Sequence, residues 1–162
     1  RRQRQMCIRD RFKYSGRREY GAVYAQELYR YYGGWIRQTG AGALIPVPVH
    51  RSRLRTRGYN QAELIAGHLS GLTGVKMIPD LITRVKETTA QKELSAAERL
   101  KNLQGAFRAG RAREQLNHMP ECVIIIDDIY TTGSTMEACS RVLLDMGVGR
   151  IYFLCVCIGK GS

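Results

Sequence analysis

The sequence contains no apolar run that approaches the roughly 20 residues needed to cross a bilayer. It also lacks a signal-peptide pattern, because no apolar segment follows the arginine-rich N-terminus. Its five cysteines form no C-x-x-C pair, so a zinc site has no local support. We therefore expect a cytoplasmic protein without membrane insertion, whose cysteines are small hydrophobic side chains kept reduced.

Acidic residues are scarce: 14 Asp and Glu against 26 Lys and Arg give a net charge of +12. Such a surplus is typical of proteins that bind nucleic acid, an anionic membrane or a polyphosphate. Residues 1–11 hold five Arg and one Asp, or +4 of this charge, without any apolar period. We expect them to be a disordered or non-native leader. Residues 12–162 are predicted to form one domain, since 162 residues suit a single core.

Helical and strand patterns alternate along the chain. Apolar side chains follow helical spacing over residues 20–35, and the other predicted helices cover residues 60–69, 95–102 and 134–146. The predicted strands cover residues 43–50, 75–85, 121–128 and 150–158. Gly33 and Gly34 are expected to end the first helix, Pro79 to mark an edge or a break, and residues 108–119 to form a polar linker. This order predicts an α/β fold with a mostly parallel central sheet flanked by helices.

The most informative stretch is IIIDDIYTTGST, residues 124–135. Its apolar start is typical of a strand buried on both faces, and ligands of open α/β sheets bind at the carboxyl ends of such strands. Asp127 and Asp128 are expected to emerge there. A turn of small residues that leads into a helix is typical of a phosphate site, although no Walker Gly-Lys-Ser/Thr is present. This segment, the hydroxyl turn, consists of Thr131, Thr132, Gly133, Ser134 and Thr135.

Adjacent carboxylates repel each other and also repel phosphate, so they should contact another part of the same ligand. The vicinal hydroxyls of a ribose fit, because carboxylates accept hydrogen bonds and a bound Mg²⁺ could relieve the repulsion between them. The predicted ligand is a ribose 5-phosphate. The alternative is that Asp127 and Asp128 only end a strand, which an ordinary turn follows.

The complete string from the apolar run to TTGST resembles the site for 5-phosphoribosyl 1-pyrophosphate (PRPP) in type I phosphoribosyltransferases. Three further segments, RFKYSGRREYG, PVPVHRSRLRTRGYNQAELIA and LITRVKETTAQKELSAAERLKNLQGAF, are similar to the ComF family of competence-associated phosphoribosyltransferase-like proteins. The resemblance extends from about residue 11 to the end. Many members of that family carry an N-terminal Cys-rich, zinc-ribbon-like segment, which this sequence does not show.

The resemblance implies a type I phosphoribosyltransferase-like fold and a Mg²⁺-dependent transfer of 5-phosphoribose from PRPP to a nitrogenous, nucleobase-like acceptor, with release of pyrophosphate. It implies that Asp127 and Asp128 are catalytic and hold Mg²⁺, directly or through water, while the hydroxyl turn holds the 5-phosphate. The implied pyrophosphate loop contains Arg51, Arg53, Arg55 and Arg57. Arg57 is the first choice there, because the neighbouring Gly58 permits close backbone approach. The implied mobile hood loop contains Arg84, Lys86, Thr88 and Gln91.

Other interpretations stay open. The arginines could form a solvated basic turn, and the protein could be a non-catalytic PRPP or nucleotide sensor, or an accessory protein that contacts single-stranded DNA or competence proteins during DNA uptake. Tyr59 and Tyr130 are candidates for contact with the acceptor. The three histidines are isolated and provide no obvious general base, which related enzymes replace by positioning and electrostatics. The oligomeric state stays open, and a homodimer is one option because dimers are common in the wider superfamily.

Overall fold

The structure is a computed structural model that describes residues 18–86, 98, 103 and 105–159. The described helices are α1 (Tyr20–Thr39), α2 (Arg51–Arg57), α3 (Gln61–Thr73), the 3₁₀ helix Arg111–Gln115 and α4 (Ser134–Asp145). The described strands are β1 (Ala43–Pro46), β2 (Ile82–Arg84), β3 (Phe107–Ala109), β4 (Cys122–Tyr130) and β5 (Arg150–Ile158). No helix in these ranges is long and apolar enough to span a membrane.

The main sheet is parallel and has the strand order β1-β4-β5. Its central strand begins with five buried residues, 122–126, which is the two-sided burial predicted from the unalternated apolar run. Beyond β1, Met77 forms a parallel bridge with Leu44. The predicted fold class, a mostly parallel sheet flanked by helices, is confirmed.

Helices cover both faces of this sheet. On one face, Ile124 and Ile126 of β4 pack with side chains of α1 and α3, among them Ile65 and Leu69. On the other face, Val123 and Ile125 pack with α4 and with the small β2–β3 sheet. The alternation of side chains along a strand assigns each residue of β4 to one of these faces. We call them the α3 face and the α4 face.

The predicted strand at 75–85 is only partly correct. Met77 contributes a single bridge, and a separate strand, β2, begins at Ile82 and pairs antiparallel with β3. Pro79 lies between the two pieces, where its missing N–H prevents a continuous ladder. The polar linker predicted over 108–119 was also wrong in part, because its first residues belong to β3 and others to a 3₁₀ helix. Both strands pack their buried side chains against α4.

The prediction that α1 ends at Gly33 and Gly34 was wrong. The helix continues to Thr39 and ends at Gly40, whose φ of 64° is a left-handed C-cap. The burial of Ile36 and Thr39 beyond the glycines outweighs the low helix propensity of two Gly residues. Gly33 is buried against Tyr29, and a Cβ at this position would lie 2.8 Å from the tyrosine ring. This glycine therefore serves packing.

Replacement Gly34→Ala is expected to stabilise the protein by about 0.5–1 kcal/mol, because alanine loses less backbone entropy than glycine in a helix interior. The site can accept the methyl group, since no atom lies within 4 Å of its position. Urea unfolding measures the effect. Gly33→Ala is the matched control and should destabilise the protein through the Tyr29 ring; equal effects of the two changes would contradict this account.

Candidate functional site

The acidic pair lies at the carboxyl edge of the main sheet, within β4. The structure corrects one detail of the prediction, because the strand does not end at the pair. It continues to Tyr130, since Ile129 and Tyr130 still pair with β5. Strand alternation therefore assigns Asp127 to the α4 face and Asp128 to the α3 face. The Oδ1 atom of Asp127 accepts a hydrogen bond of 2.8 Å from the N–H of Asp128.

Arg84 ends β2, in the small β2–β3 sheet that packs on the same α4 face to which Asp127 is assigned. Burial raises the pKa of the Cys139 thiol on α4, the charge of Asp127 raises it further, and the guanidinium of Arg84 lowers it. One thiol thus responds to both groups. Burial raises the pKa of Cys155 on β5 to about 12, with smaller contributions from Asp127 and Asp128. Cys155 is therefore a protonated, inert thiol at neutral pH.

The hydroxyl turn connects β4 to α4. Gly133 has φ 80°, the left-handed region that glycine adopts most readily, and a Cβ there would lie 2.6 Å from the hydroxyl of Tyr130. The hydroxyls of Thr132 and Ser134 are 2.9 Å apart. Within the described residues no side chain caps the start of α4. The first N–H groups of a 12-residue helix and a pair of hydroxyls therefore lie together directly after the strand that carries Asp127.

The basic segment after β1 forms the short helix α2, and not the loop that was predicted. His50 caps it: its Nδ1 atom accepts from the N–H of Ser52 at 3.3 Å. The helical period divides the arginines into two pairs four residues apart. Arg53 and Arg57 are half-buried, whereas Arg51 and Arg55 are exposed. The structure thus favours one pair for an inward role.

Sequence reasoning assigned no site role to Asn60, the N-cap of α3, or to Gln61, its first residue. Asn60 accepts from the N–H of Ala62 at 3.1 Å, and its Nδ2 donates to the carbonyl of Val47 at 3.0 Å. Val47 follows β1, and its own N–H donates to Ile126 of β4. The start of α3 is therefore tied to the carboxyl edge of the sheet. The sequence signal was the Asn N-cap before an apolar-periodic run.

The donor set suits Mg²⁺ only together with a ligand. Among the described residues no group of three or more His, Cys, Asp or Glu could hold a metal ion. Mg²⁺ commonly binds one or two carboxylates and completes its shell with water and substrate oxygens. Asp127 and Asp128 could supply such carboxylates at the edge. Because they face opposite sides of β4, one ion would contact them singly or through water.

Two of the four residues assigned to the hood loop are described. Arg84 is half-buried, lies 5.4 Å from the ring centroid of Phe107 and donates to the carbonyl of Lys86 at 3.3 Å. Lys86 is exposed. Thr88 and Gln91 lie outside the described residues, as do residues 1–17 and all of the predicted helix 95–102 except Glu98. The predicted hood therefore begins at the end of β2, in the small sheet that packs on the α4 face.

The two tyrosines proposed to contact an acceptor differ. Tyr59 is 6% exposed and packs in the core of the α3 face, 5.4 Å below the guanidinium of Arg18. Burial raises its pKa, while Arg57 and Arg18 act in the opposite direction. Tyr130 is 39% exposed beside Gly133, so it stays the candidate for ligand contact. His68 and His118 are exposed.

The fold and site define a class of α/β domain in which a glycine- and hydroxyl-rich turn follows an acidic strand edge. Comparisons with known proteins narrow this class. No family model matches the chain. Competence protein F of Haemophilus influenzae is 38% identical over 109 residues, which cover 67% of this chain and 47% of that protein. The DNA utilization protein YhgH of Salmonella typhi is 34% identical over 148 residues, which cover 90% of this chain and 63% of that protein.

Among solved structures, a hypoxanthine phosphoribosyltransferase from Staphylococcus aureus is similar with a TM-score of 0.46 and 12% identity. The match covers 85% of this chain and 62% of that chain. The sequence relatives confirm the resemblance found in the motifs, and the chain belongs to the ComF family. It spans less than two thirds of the length of these two relatives.

Proposed function

We propose that this chain binds PRPP and Mg²⁺ at the carboxyl edge of β4 and transfers 5-phosphoribose to a nitrogenous acceptor, releasing pyrophosphate. The proposal rests on one observation about the continuous segment β4–turn–α4. Asp127 is assigned to the face of β4 that α4 covers, and the hydroxyl turn leads directly into that same helix. A 5-phosphate at the turn places a ribose beside the acidic edge. The names of the relatives support a role linked to competence and DNA utilization.

Each group has a part in this proposal. The N–H groups and hydroxyls of the turn bind the 5-phosphate, and the carboxylates accept hydrogen bonds from the ribose hydroxyls. Arg53 and Arg57 donate to the pyrophosphate, on which negative charge increases as the glycosidic bond breaks. A bound Mg²⁺ would neutralise part of that charge. Positioning and electrostatics account for the reaction without a histidine base.

Calorimetric titration with PRPP and Mg²⁺, followed by an assay of pyrophosphate release in the presence of individual nucleobases, tests the proposal. Saturable binding and base-dependent release of pyrophosphate are expected. Absence of binding would overturn the whole proposal. Saturable binding without any release, across the full set of bases, would favour the non-catalytic sensor.

The charge distribution supports a second candidate function, contact with single-stranded DNA by an accessory protein. Arg51 and Arg55 are exposed on α2, and the chain as a whole carries +12. Phosphate contacts of this kind weaken steeply with salt. Strongly salt-dependent binding of single-stranded DNA that survives deletion of residues 1–11 would favour this function, and loss of binding on that deletion would count against it.

The burial of the arginines on α2 leads to a specific prediction for pyrophosphate. Joint replacement Arg53→Gln/Arg57→Gln is expected to weaken the binding of PRPP and pyrophosphate about 10- to 100-fold, as expected for charged hydrogen bonds lost from a partly solvated site. The control, Arg51→Gln/Arg55→Gln, removes the same charge from the exposed side and should cost much less. Calorimetry at fixed ionic strength compares them, and equal losses would show that only net charge matters.

A further inference from the structure

Gln61 is the first residue of α3, and its side chain is almost completely buried. The residue is 3% exposed, and its Nε2 atom has no hydrogen-bond partner in the described part of the chain. A buried amide donor without an acceptor is costly to the folded protein. Asn60 already caps the helix, so capping does not explain why an amide is present at position 61.

The packing of α3 on the sheet places Gln61 at the acidic edge. Because β1 and Met77 run parallel, the intervening α3 returns antiparallel to the strands. Along α3, Gln61 lies on the same buried side of the helix as Ile65 and Leu69. Along β4, Asp128 lies on the same side of the strand as Ile124 and Ile126. The apolar residues of these two rows pack in one core cluster. Four helical residues advance about 6 Å and two strand residues about 6.6 Å, so successive residues of the two rows stay at matching heights along the sheet.

A hydrogen bond supports the same level for the two side chains. Asn60, adjacent to Gln61, donates to the carbonyl of Val47. Val47 lies one residue beyond Pro46, which pairs with Ile126, and is therefore level with the first carboxylate of the pair. Gln61 and Asp128 thus come to the same edge of the same face, one with an amide N–H donor and the other with a carboxylate acceptor.

We propose that Gln61 and Asp128 together recognise one ribose hydroxyl of the ligand, which accepts from the Gln61 amide and donates to the Asp128 carboxylate. This inference rests on the proposed function and names a residue that positions the sugar. A donor and an acceptor that converge select a hydroxyl, because a phosphate oxygen cannot donate and a methylene group can do neither. In this proposal Gln61 and Asp128 recognise the sugar, whereas the hydroxyl turn and the arginines of α2 bind the phosphates.

The test compares ligands that contain or lack the sugar. Gln61→Met keeps the length of the side chain and removes the donor. It should weaken PRPP and ribose 5-phosphate about tenfold, the upper range for one net hydrogen bond, and leave inorganic pyrophosphate unchanged. The urea midpoint of the free protein should stay the same or rise, because no hydrogen bond of the free protein is lost.

Gln38→Leu is the control, because it changes an exposed glutamine of α1. Gln61→Leu replaces the Met variant if that variant does not fold.

A double-mutant cycle tests whether the two residues share a hydroxyl. If they do, Gln61→Met in the Asp128→Asn background should weaken PRPP little further. Additive losses, an equal loss of pyrophosphate affinity, or unchanged sugar affinity would each overturn the inference, as would a lower urea midpoint with normal affinity. Failure of the unmodified chain to bind either PRPP or ribose 5-phosphate would instead overturn the proposed function, and this inference with it.

Discussion

Replacement of both acids, Asp127→Asn and Asp128→Asn, is expected to abolish Mg²⁺-dependent binding of PRPP while the domain stays folded. Each carboxylate is assigned a charged hydrogen bond to the ribose or a contact to the ion, and loss of two such contacts amounts to at least about 3 kcal/mol, or more than about 100-fold in affinity. Folding should persist because both side chains are only half-buried at the edge of the sheet. An Asn at position 127 can also still accept from the N–H of residue 128.

Calorimetry with PRPP and Mg²⁺ measures the binding, and circular dichroism with urea unfolding measures the fold. Asp145→Asn is the matched control, because it removes a carboxylate from the far end of the 12-residue α4, about 18 Å from the hydroxyl turn. Normal PRPP affinity in the double variant would refute the assignment of the acidic pair. Comparable loss in Asp145→Asn would mean that the general charge of the domain, and not this edge, controls binding.

The single replacements should differ, because the two acids lie on opposite faces of β4. Asp127 shares its face with α4 and the small β2–β3 sheet, whereas Asp128 shares its face with α3. Asp127 is therefore assigned to the side of the ligand near the 5-phosphate and the hood. This division follows from strand geometry, since neighbouring side chains in a strand point to opposite faces.

Replacement Gly133→Ala is the second change with a large expected effect. Alanine at φ 80° is strained by about 1–2 kcal/mol, and its Cβ would lie 2.6 Å from the hydroxyl of Tyr130. The turn must shift to relieve the backbone strain and the contact with Tyr130. The first N–H groups of α4 then no longer point together at the proposed phosphate position. Phosphate, ribose 5-phosphate and PRPP should all bind more than about tenfold more weakly, which corresponds to the loss of one or two charged hydrogen bonds.

A second change separates the two causes. Tyr130→Ala in the Gly133→Ala background removes the steric contact and leaves the backbone strain. Partial recovery of phosphate affinity would assign part of the effect to the tyrosine, and no recovery would assign it to φ alone. Gly34→Ala serves as the control for a glycine with open space and ordinary helical φ. Unchanged phosphate affinity in Gly133→Ala would show that the turn does not hold the anion.

Local patterns predicted the elements of the fold that depend on neighbouring residues. The buried strand β4, the helix α4 and the last strand β5 lie close to their predicted ranges, because burial period and capping act within one or two turns of the chain. Predictions failed where distant contacts decide. The continuation of α1 through Gly33 and Gly34 depends on a core that lies beyond them, and the pairing of β2 with β3 joins segments that a long intervening stretch separates.

The candidate site shows the same division. Asp127, Asp128 and the hydroxyl turn could be proposed from sequence because the whole unit occupies nine consecutive residues, 127–135. The half-buried pair of arginines could not be identified from sequence. Only once α2 is known to be a helix does its four-residue period separate Arg53 and Arg57 from the exposed Arg51 and Arg55. Gln61 was missed because its meaning depends on what lies opposite it in the fold.

The amino-acid sequence by itself was enough to predict the order of helices and strands, to identify the acidic pair with its hydroxyl-rich turn, and to indicate the ComF family. Each of these can be recognised in short contiguous segments. Only the tertiary structure decided which face each carboxylate takes, which arginines are half-buried and that a glutamine is buried at the start of α3, on the face of Asp128. The physical reason is that side-chain direction and burial depend on strand register and helix packing, which join residues far apart in the chain.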